Sequence, residues 1–208
     1  MRMTPLSPDR LAERIAERIA GLPASPRPRV VVDGAPAAEP GDLATALVGR
    51  LRRRGREVFA VSADDFPRPA ALRLERGRTN PDAYYEDWTD VGALRREVLT
   101  PLGPDGDGRA LPRLWDAASD RSARASRVRV DEGTVLLVSG GLLLGHGLPW
   151  DLAVHLWLSE PALRRRTTAE RGWTLPAFDR YEREVAPREV ADVVVRVDHP
   201  DRPAVLER

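Results

Sequence analysis

The sequence predicts an α/β fold of three layers built around a mainly parallel sheet. Three observations lead there. Short runs rich in Val and Leu alternate with segments of helical period along most of the chain. Those runs are continuous rather than alternating apolar and polar, which suits strands buried on both faces. The first of them, Arg29 to Asp33, ends at Asp-Gly and leads into a helical pattern, so a strand, a tight turn and a helix follow one another.

The elements can be justified in order. Leu6 to Gly21 reads as an added N-terminal helix, with Ser7 as its cap, Pro8 in its first turn, and Leu11, Ile15, Ile19 and Leu22 on one face. Pro23 to Pro28 breaks the pattern. Residues 1–28 therefore read as helix and proline-rich linker, and residues 29–208 as the main domain. Asp42 to Arg54 is a helix ended by Gly55, and Glu57 to Ser62 is the next strand. Pro67 to Asp87 reads as irregular, with one short helix around Ala70 to Arg76. Val91 to Leu99 is helical, Gly103 to Gly108 is turn-rich, and Arg109 to Asp131 is a hairpin or an extended arm. Thr134 to Val138 and Leu152 to Leu158 are strands, Pro161 to Arg171 and Pro176 to Val185 helices, and Asp192 to Val197 the last strand. Ligands of such sheets bind at the carboxyl ends of the strands. That edge carries Asp33, Asp64, Asp65 and Ser139.

Composition narrows the chemistry. A hydrophobic share of 42% with 31% charged residues suits a globular chain able to bury a core. A net charge of +1 gives no general attraction to nucleic acid or to a membrane. All 33 basic residues are arginine, so a lysine Schiff base or a lysine ammonium on a phosphate is excluded within this chain. The absence of cysteine excludes disulfides and thiol nucleophiles. His146, His155 and His199 lack metal-ligand spacing. No apolar run reaches the length of a membrane span and the first residues lack a signal-peptide core, which predicts a cytoplasmic location.

Gly34 to Gly41 reads GAPAAEPG, at the place where a phosphate-binding loop G-x-x-x-x-G-K-[ST] would stand. Anchored on Gly34, the loop has Glu39, Pro40 and Gly41 in place of Gly, Lys and Ser/Thr. Backbone at Gly34, Ala35, Ala38 and Gly41 is what remains for a phosphate. Pro40 has no N–H and Gly41 no hydroxyl. Glu39 and Asp42 bring carboxylates to a helix N-terminus, where each gains about 0.3–1 kcal/mol from the helix dipole. They stabilise the helix and repel a triphosphate.

Several segments in order resemble the uridine kinase-like branch of P-loop nucleoside kinases, over about Arg29 to Asp198. They are VVVDG, VSADDFPRP, NPDAYYEDW, LPRLWD, VLLVSGG, LRRRTTAERGW and VAPREVADVVV. After its loop this family usually continues T-L-A-x-x-L, and Asp42, Leu43, Ala44 and Leu47 keep that frame. The resemblance implies a P-loop NTPase-like domain that transfers a phosphoryl group from a nucleoside triphosphate to a nucleoside or similar small hydroxyl, with ATP and Mg²⁺ as cofactors. Asp64 matches the carboxylate that takes the acceptor's proton, and Asp65 and Asp33 lie at the same edge. Ser139 stands where the family carries the Glu that supports the metal, so no metal ligands are assigned. Arg164, Arg166 and Arg171 resemble the lid that clamps phosphates. Tyr84, Tyr85 and Trp88 offer faces for a nucleobase. The same residues also suit simpler roles: a capped turn for the aspartates, core packing for the aromatics, a solvated face for the arginines. Two readings follow, a nucleoside kinase-like phosphotransferase with an altered ATP loop, and a pseudokinase that binds a nucleoside, nucleotide or protein partner without catalysis. Another phosphate donor, or other chemistry at the carboxylate edge, is a third. No nucleic acid or membrane partner is expected, and a homo-oligomer stays open.

Overall fold

The computed structural model describes residues 2–22 and 25–207. The chain opens with strand β1 (Arg2–Pro5) and helix α1 (Pro8–Ala20). Ser7 Oγ accepts the Arg10 N–H at 3.3 Å, capping a helix whose first turn holds Pro8, where no N–H is needed. Within the expected proline break, Pro23 and Ala24 lie outside the described residues. Strand β2 (Arg29–Gly34) follows, with Val30, Val31 and Val32 fully buried. Helix α2 (Pro40–Arg53) starts two residues before its expected boundary, because proline suits the first helical position. Strand β3 (Val58–Ser62) comes next.

The long excursion after β3 is more helical than its sequence pattern predicts. Beside α3 (Ala70–Arg73), the stretch expected to be irregular holds α4 (Pro81–Asp87). The start signal was there: Asn80 accepts the Ala83 N–H at 2.9 Å and Pro81 fills the first turn. Helix α5 (Val91–Leu94) runs on into a π-helical turn, Arg95–Leu99. The arm folds as two small antiparallel pairs. Strand β4 (Arg109–Ala110) joins β7 (Val128–Arg129), and β5 (Trp115–Asp116) joins β6 (Arg121–Ser122).

Strands β8 (Val135–Gly140) and β9 (Leu152–Trp157) return the chain to the sheet. Helix α6 (Glu160–Arg166) stops five residues short of the expected end. Thr167 turns to extended backbone and its hydroxyl donates to the Leu163 carbonyl at 2.7 Å. Two β-branched threonines in a row favour leaving the helix there. A 3₁₀ segment (Ala169–Thr174), α7 (Leu175–Glu184), α8 (Pro187–Val190), β10 (Val193–Arg196) and β11 (Ala204–Glu207) complete the chain.

The main sheet has the order β1-β11-β10-β9-β2-β8-β3. The five strands from β10 to β3 are parallel, as expected. The antiparallel edge made by β11 and β1 was not expected, and it brings the two ends of the chain side by side. Helix α1 packs on α2, which covers β2, β3 and β8, while α4 packs on α7. No helix among the described residues is long and apolar enough to cross a membrane.

The turn after β2 explains its Asp-Gly. A Cβ added at Gly34 would lie 3.0 Å from both Cβ and the carbonyl oxygen of Leu156 on the neighbouring strand. Gly34→Ala is therefore expected to destabilise the protein by about 1–3 kcal/mol, the range for overpacking a close contact. Urea unfolding measures it, and an unchanged midpoint would show that β2 and β9 separate without cost.

Candidate functional site

The carboxyl ends of β2, β8 and β3 meet in register, with Ser62 opposite Ser139 and Asp33 opposite Gly140. Above them lies a cavity of about 240 Å³, lined by the loop from Gly34 to Asp42, by Ser62, Asp64 and Ser139, and by Tyr84 and Trp88. Asp64 sits in a 3₁₀ turn capped by Ser62, whose Oγ accepts the Asp64 N–H at 3.2 Å. The neighbouring carboxylate turns away. Asp65 pairs with Arg113 Nε at 2.7 Å, and its carbonyl accepts the Leu114 N–H at 2.9 Å. Burial raises the Asp65 pKa, the Arg113 charge opposes that, and the Asp64 charge adds to it. The two aspartates therefore divide the work: Asp64 faces the cavity, and Asp65 fastens the arm beside it.

The aromatics divide in the same way. The Tyr84 ring packs against Trp88 at 5.2 Å, Trp173 at 5.5 Å and Phe178 at 6.0 Å between centroids. Burial pushes the Tyr84 hydroxyl up to about 12, against the pull of Arg171 and with the help of Asp64. Tyr85 does not join this cluster. The Arg180 guanidinium lies 4.4 Å from its ring centroid, and the Tyr181 ring is 6.5 Å away. Trp173 was not among the expected residues. It lies in a 3₁₀ segment, where no helical period marks the buried face.

The loop between β2 and α2 spends much of its hydrogen bonding within itself. Pro36–Ala38 forms a 3₁₀ turn in which the Ala38 N–H donates to Ala35 O at 2.7 Å and the Glu39 N–H to Pro36 O at 3.0 Å. Pro36 and Pro40 have no N–H. Residues 36, 38, 39 and 40 therefore have no N–H left for a ligand. Glu39 holds φ 59° and ψ 51°, the left-handed conformation that suits the glycine usual at this position. Its carboxylate meets Arg166 Nη2 at 3.4 Å, and Arg166 Nη1 donates to Val197 O at 2.8 Å. Arg166 and Arg171 line a second cavity of about 250 Å³, which shares Pro36, Glu39 and Tyr84 with the first. Arg164 is apart from both, paired at 2.9 Å with Glu160 on the outer face of α6. These residues do not fit Mg-ATP. The N–H groups of Ala38 and Glu39 are consumed, Pro36 and Pro40 have none, a carboxylate occupies the arginine, and Gly41 and Ser139 bring neither charge nor the expected ligands. Among the described residues no cluster of three His, Asp or Glu is placed to hold a metal.

Asp33 also departs from its expected place. It is fully buried behind the loop and does not line the cavity. One oxygen accepts the Leu143 N–H at 2.9 Å; the other meets His155 Nδ1 at 2.7 Å and the Tyr181 hydroxyl, which donates at 3.1 Å. Tyr181 in turn accepts the Leu144 N–H at 2.9 Å. Burial lowers the pKa of His155, yet the hydrogen bond to Asp33 and the negative charges of Asp33 and the nearby Glu182 overcome it and hold the imidazole at about 9. Asp33 is thus a structural centre joining β2, β9, α7 and the 140–147 turn. His155 was not foreseen as part of it, although a single histidine inside the apolar run LAVHLW was a signal.

No family model matches the chain, and no curated protein matches it. Solved structures do. A possible uridine kinase from Bacillus stearothermophilus superposes with a TM-score of 0.73 at 22% identity, over 88% of this chain and 96% of that one. A candidate fructose transport system kinase from Silicibacter sp. TM1040 gives 0.61 at 22% identity, over 89% and 95%. The likeness lies in the fold: the chain shares with these structures an α/β domain built on a mainly parallel sheet.

Proposed function

We propose that this protein is a nucleoside kinase-like module that holds a nucleoside, or a similar small hydroxylated molecule, in the Asp64 cavity and does not take Mg-ATP through its loop. The observation that carries this reading is the loop's own bonding: Ala38 and Glu39 spend their N–H groups on Ala35 and Pro36, and Glu39 meets Arg166. The acceptor side is intact by contrast. Asp64 lines the cavity, and Tyr84 and Trp88 supply a wall on which a base can stack. This is the pseudokinase reading, with a small molecule as partner.

One observation favours a second reading, phosphoryl transfer with a different grip on the donor. Arg166 and Arg171 line a cavity that shares Tyr84 with the Asp64 cavity. A phosphate held there by arginine alone would face a hydroxyl beside Asp64, which would accept its proton.

Thermal melts separate the two. Uridine or cytidine is expected to raise the melting temperature with no further rise from Mg-ATP, and Asp64→Asn is expected to weaken nucleoside binding about tenfold by removing a charged acceptor. Absence of a shift with any nucleoside would overturn the binding reading. Monophosphate product with Mg-ATP would replace it with the second.

A further inference from the structure

A different cavity, of about 420 Å³, opens on the far side of the loop between β9 and helices α6, α7 and α8. Its walls are apolar where they are deepest, with Leu156, Leu158, Leu163 and Phe178 buried. At its floor lies His155, whose side chain is only 5% exposed. The Nδ1 edge of the ring is tied to Asp33 at 2.7 Å, so the edge presented to the cavity is Nε2. There the nearest carboxylate oxygen, Glu182 Oε1, stands at 3.8 Å, longer than a hydrogen bond. Glu182 is held in place from the other side, since Arg188 Nε donates to Oε2 at 3.1 Å. A buried donor and a fixed acceptor thus lie close enough that one hydroxyl oxygen, set beside the line between them, reaches both: it accepts from Nε2–H and donates to Oε1.

The charge around the cavity refines the ligand. Glu160, Asp179 and Glu182 are offset by Arg183, Arg188 and the imidazolium of His155. The lining as a whole favours neither an anion nor a cation. Buried apolar walls, the converging pair His155 and Glu182, and this volume fit a small-molecule site.

We propose that this cavity is a second binding site, distinct from the Asp64 cavity, for a small neutral hydroxylated molecule, a free monosaccharide or the sugar of a nucleoside, with one hydroxyl bridging His155 and Glu182. Ala35, Leu163 and Phe178 line both this cavity and the arginine-lined one, so a ligand here touches the loop from behind. The proposal does not depend on what the Asp64 cavity binds.

The test is a titration of the full chain, followed by the fluorescence of Trp157 and its neighbours, with D-ribose and D-glucose in one arm and uridine and adenosine in the other, at millimolar concentration. Saturable binding is expected, and Glu182→Gln should weaken it about tenfold by removing a charged acceptor. Asp64→Asn should leave the response to the free sugars unchanged, and in the nucleoside arm should leave the component that Glu182→Gln weakens. Asp179→Trp, which adds bulk at the rim and leaves the His155 network alone, should abolish it and serves if Glu182→Gln does not fold. Response to the sugars identifies a free monosaccharide as the source; response to the nucleosides alone identifies a nucleoside. Binding that Asp64→Asn abolishes while Glu182→Gln and Asp179→Trp leave it intact would overturn this site and support the Asp64 cavity. No saturable response in either arm would also overturn it.

Discussion

Replacing Asp33 with alanine is expected to lower the unfolding free energy by about 3–5 kcal/mol, the range for removing one partner of a buried ion pair. Three groups lose their acceptor at once: His155 Nδ1–H, the Tyr181 hydroxyl and the Leu143 N–H. None of them can turn to water, because Asp33 is fully buried and His155 and Tyr181 nearly so. The same network predicts a pH dependence. His155 has its pKa raised to about 9 in the folded chain, against an ordinary 6.5. A raised pKa means that the folded state holds the proton more tightly. Its stabilisation is therefore complete below about pH 6.5 and is lost as the pH rises through about 9, a change of roughly 3 kcal/mol. Urea unfolding across that window measures it. The Asp33→Ala protein should lose most of the slope, because the bond that raises the pKa is gone. A flat wild-type curve over the same window would show that His155 is not held as an imidazolium.

This network also shows where the sequence stopped being informative. Asp33 and His155 are 122 residues apart and meet because β2 and β9 pair with those two residues opposite each other, both side chains on one face. A linear reading finds both strands but not their register. Asp33 therefore read as one of three carboxylates at an edge, when hydrogen bonds to three elements take it out of that group. Asp64 was legible for the opposite reason. Its position depends on a strand end and a Ser-capped turn, which are local. Tyr84 and Tyr85 show the limit within a single helix. Adjacent residues project about 100° apart, and only the packing of α7 on α4 decides that Tyr84 faces the site and Tyr85 faces Arg180. The parallel sheet followed from its continuous apolar strands. The β1–β11 edge did not, since β1 is four residues long, includes Pro5 and has no apolar run to announce it.

Rebuilding the loop as Glu39→Gly, Pro40→Lys and Gly41→Ser is expected to give the protein Mg-ATP binding, where on the reading proposed above the natural loop gives none. The backbone argument for success is specific. Position 39 already adopts φ 59°, so glycine fits there without strain and removes the roughly 1 kcal/mol that a side chain costs in this conformation. Lysine at 40 restores an N–H and adds a charge, and it enters the first turn of a helix that continues unchanged through Ala44, Leu47 and Leu51 in the core. Serine at 41 restores a hydroxyl at a position where an added Cβ meets nothing within 4 Å. Removing the Glu39 carboxylate also frees Arg166 from its partner at 3.4 Å and leaves it anchored on Val197. Ligand at about a hundred times its dissociation constant stabilises a fold by about 2.7 kcal/mol, which a thermal melt resolves easily. The expected result is a nucleotide-dependent shift in the rebuilt protein and none in the natural one. If the rebuilt loop gains no shift, the loop is not the main obstacle, and Ser139 on β8 becomes the next residue to exchange, for Glu. If the natural protein already shifts with Mg-ATP, then Arg166 and Arg171 hold the phosphates without the loop's N–H groups, and the phosphotransferase reading stands in place of the binding one.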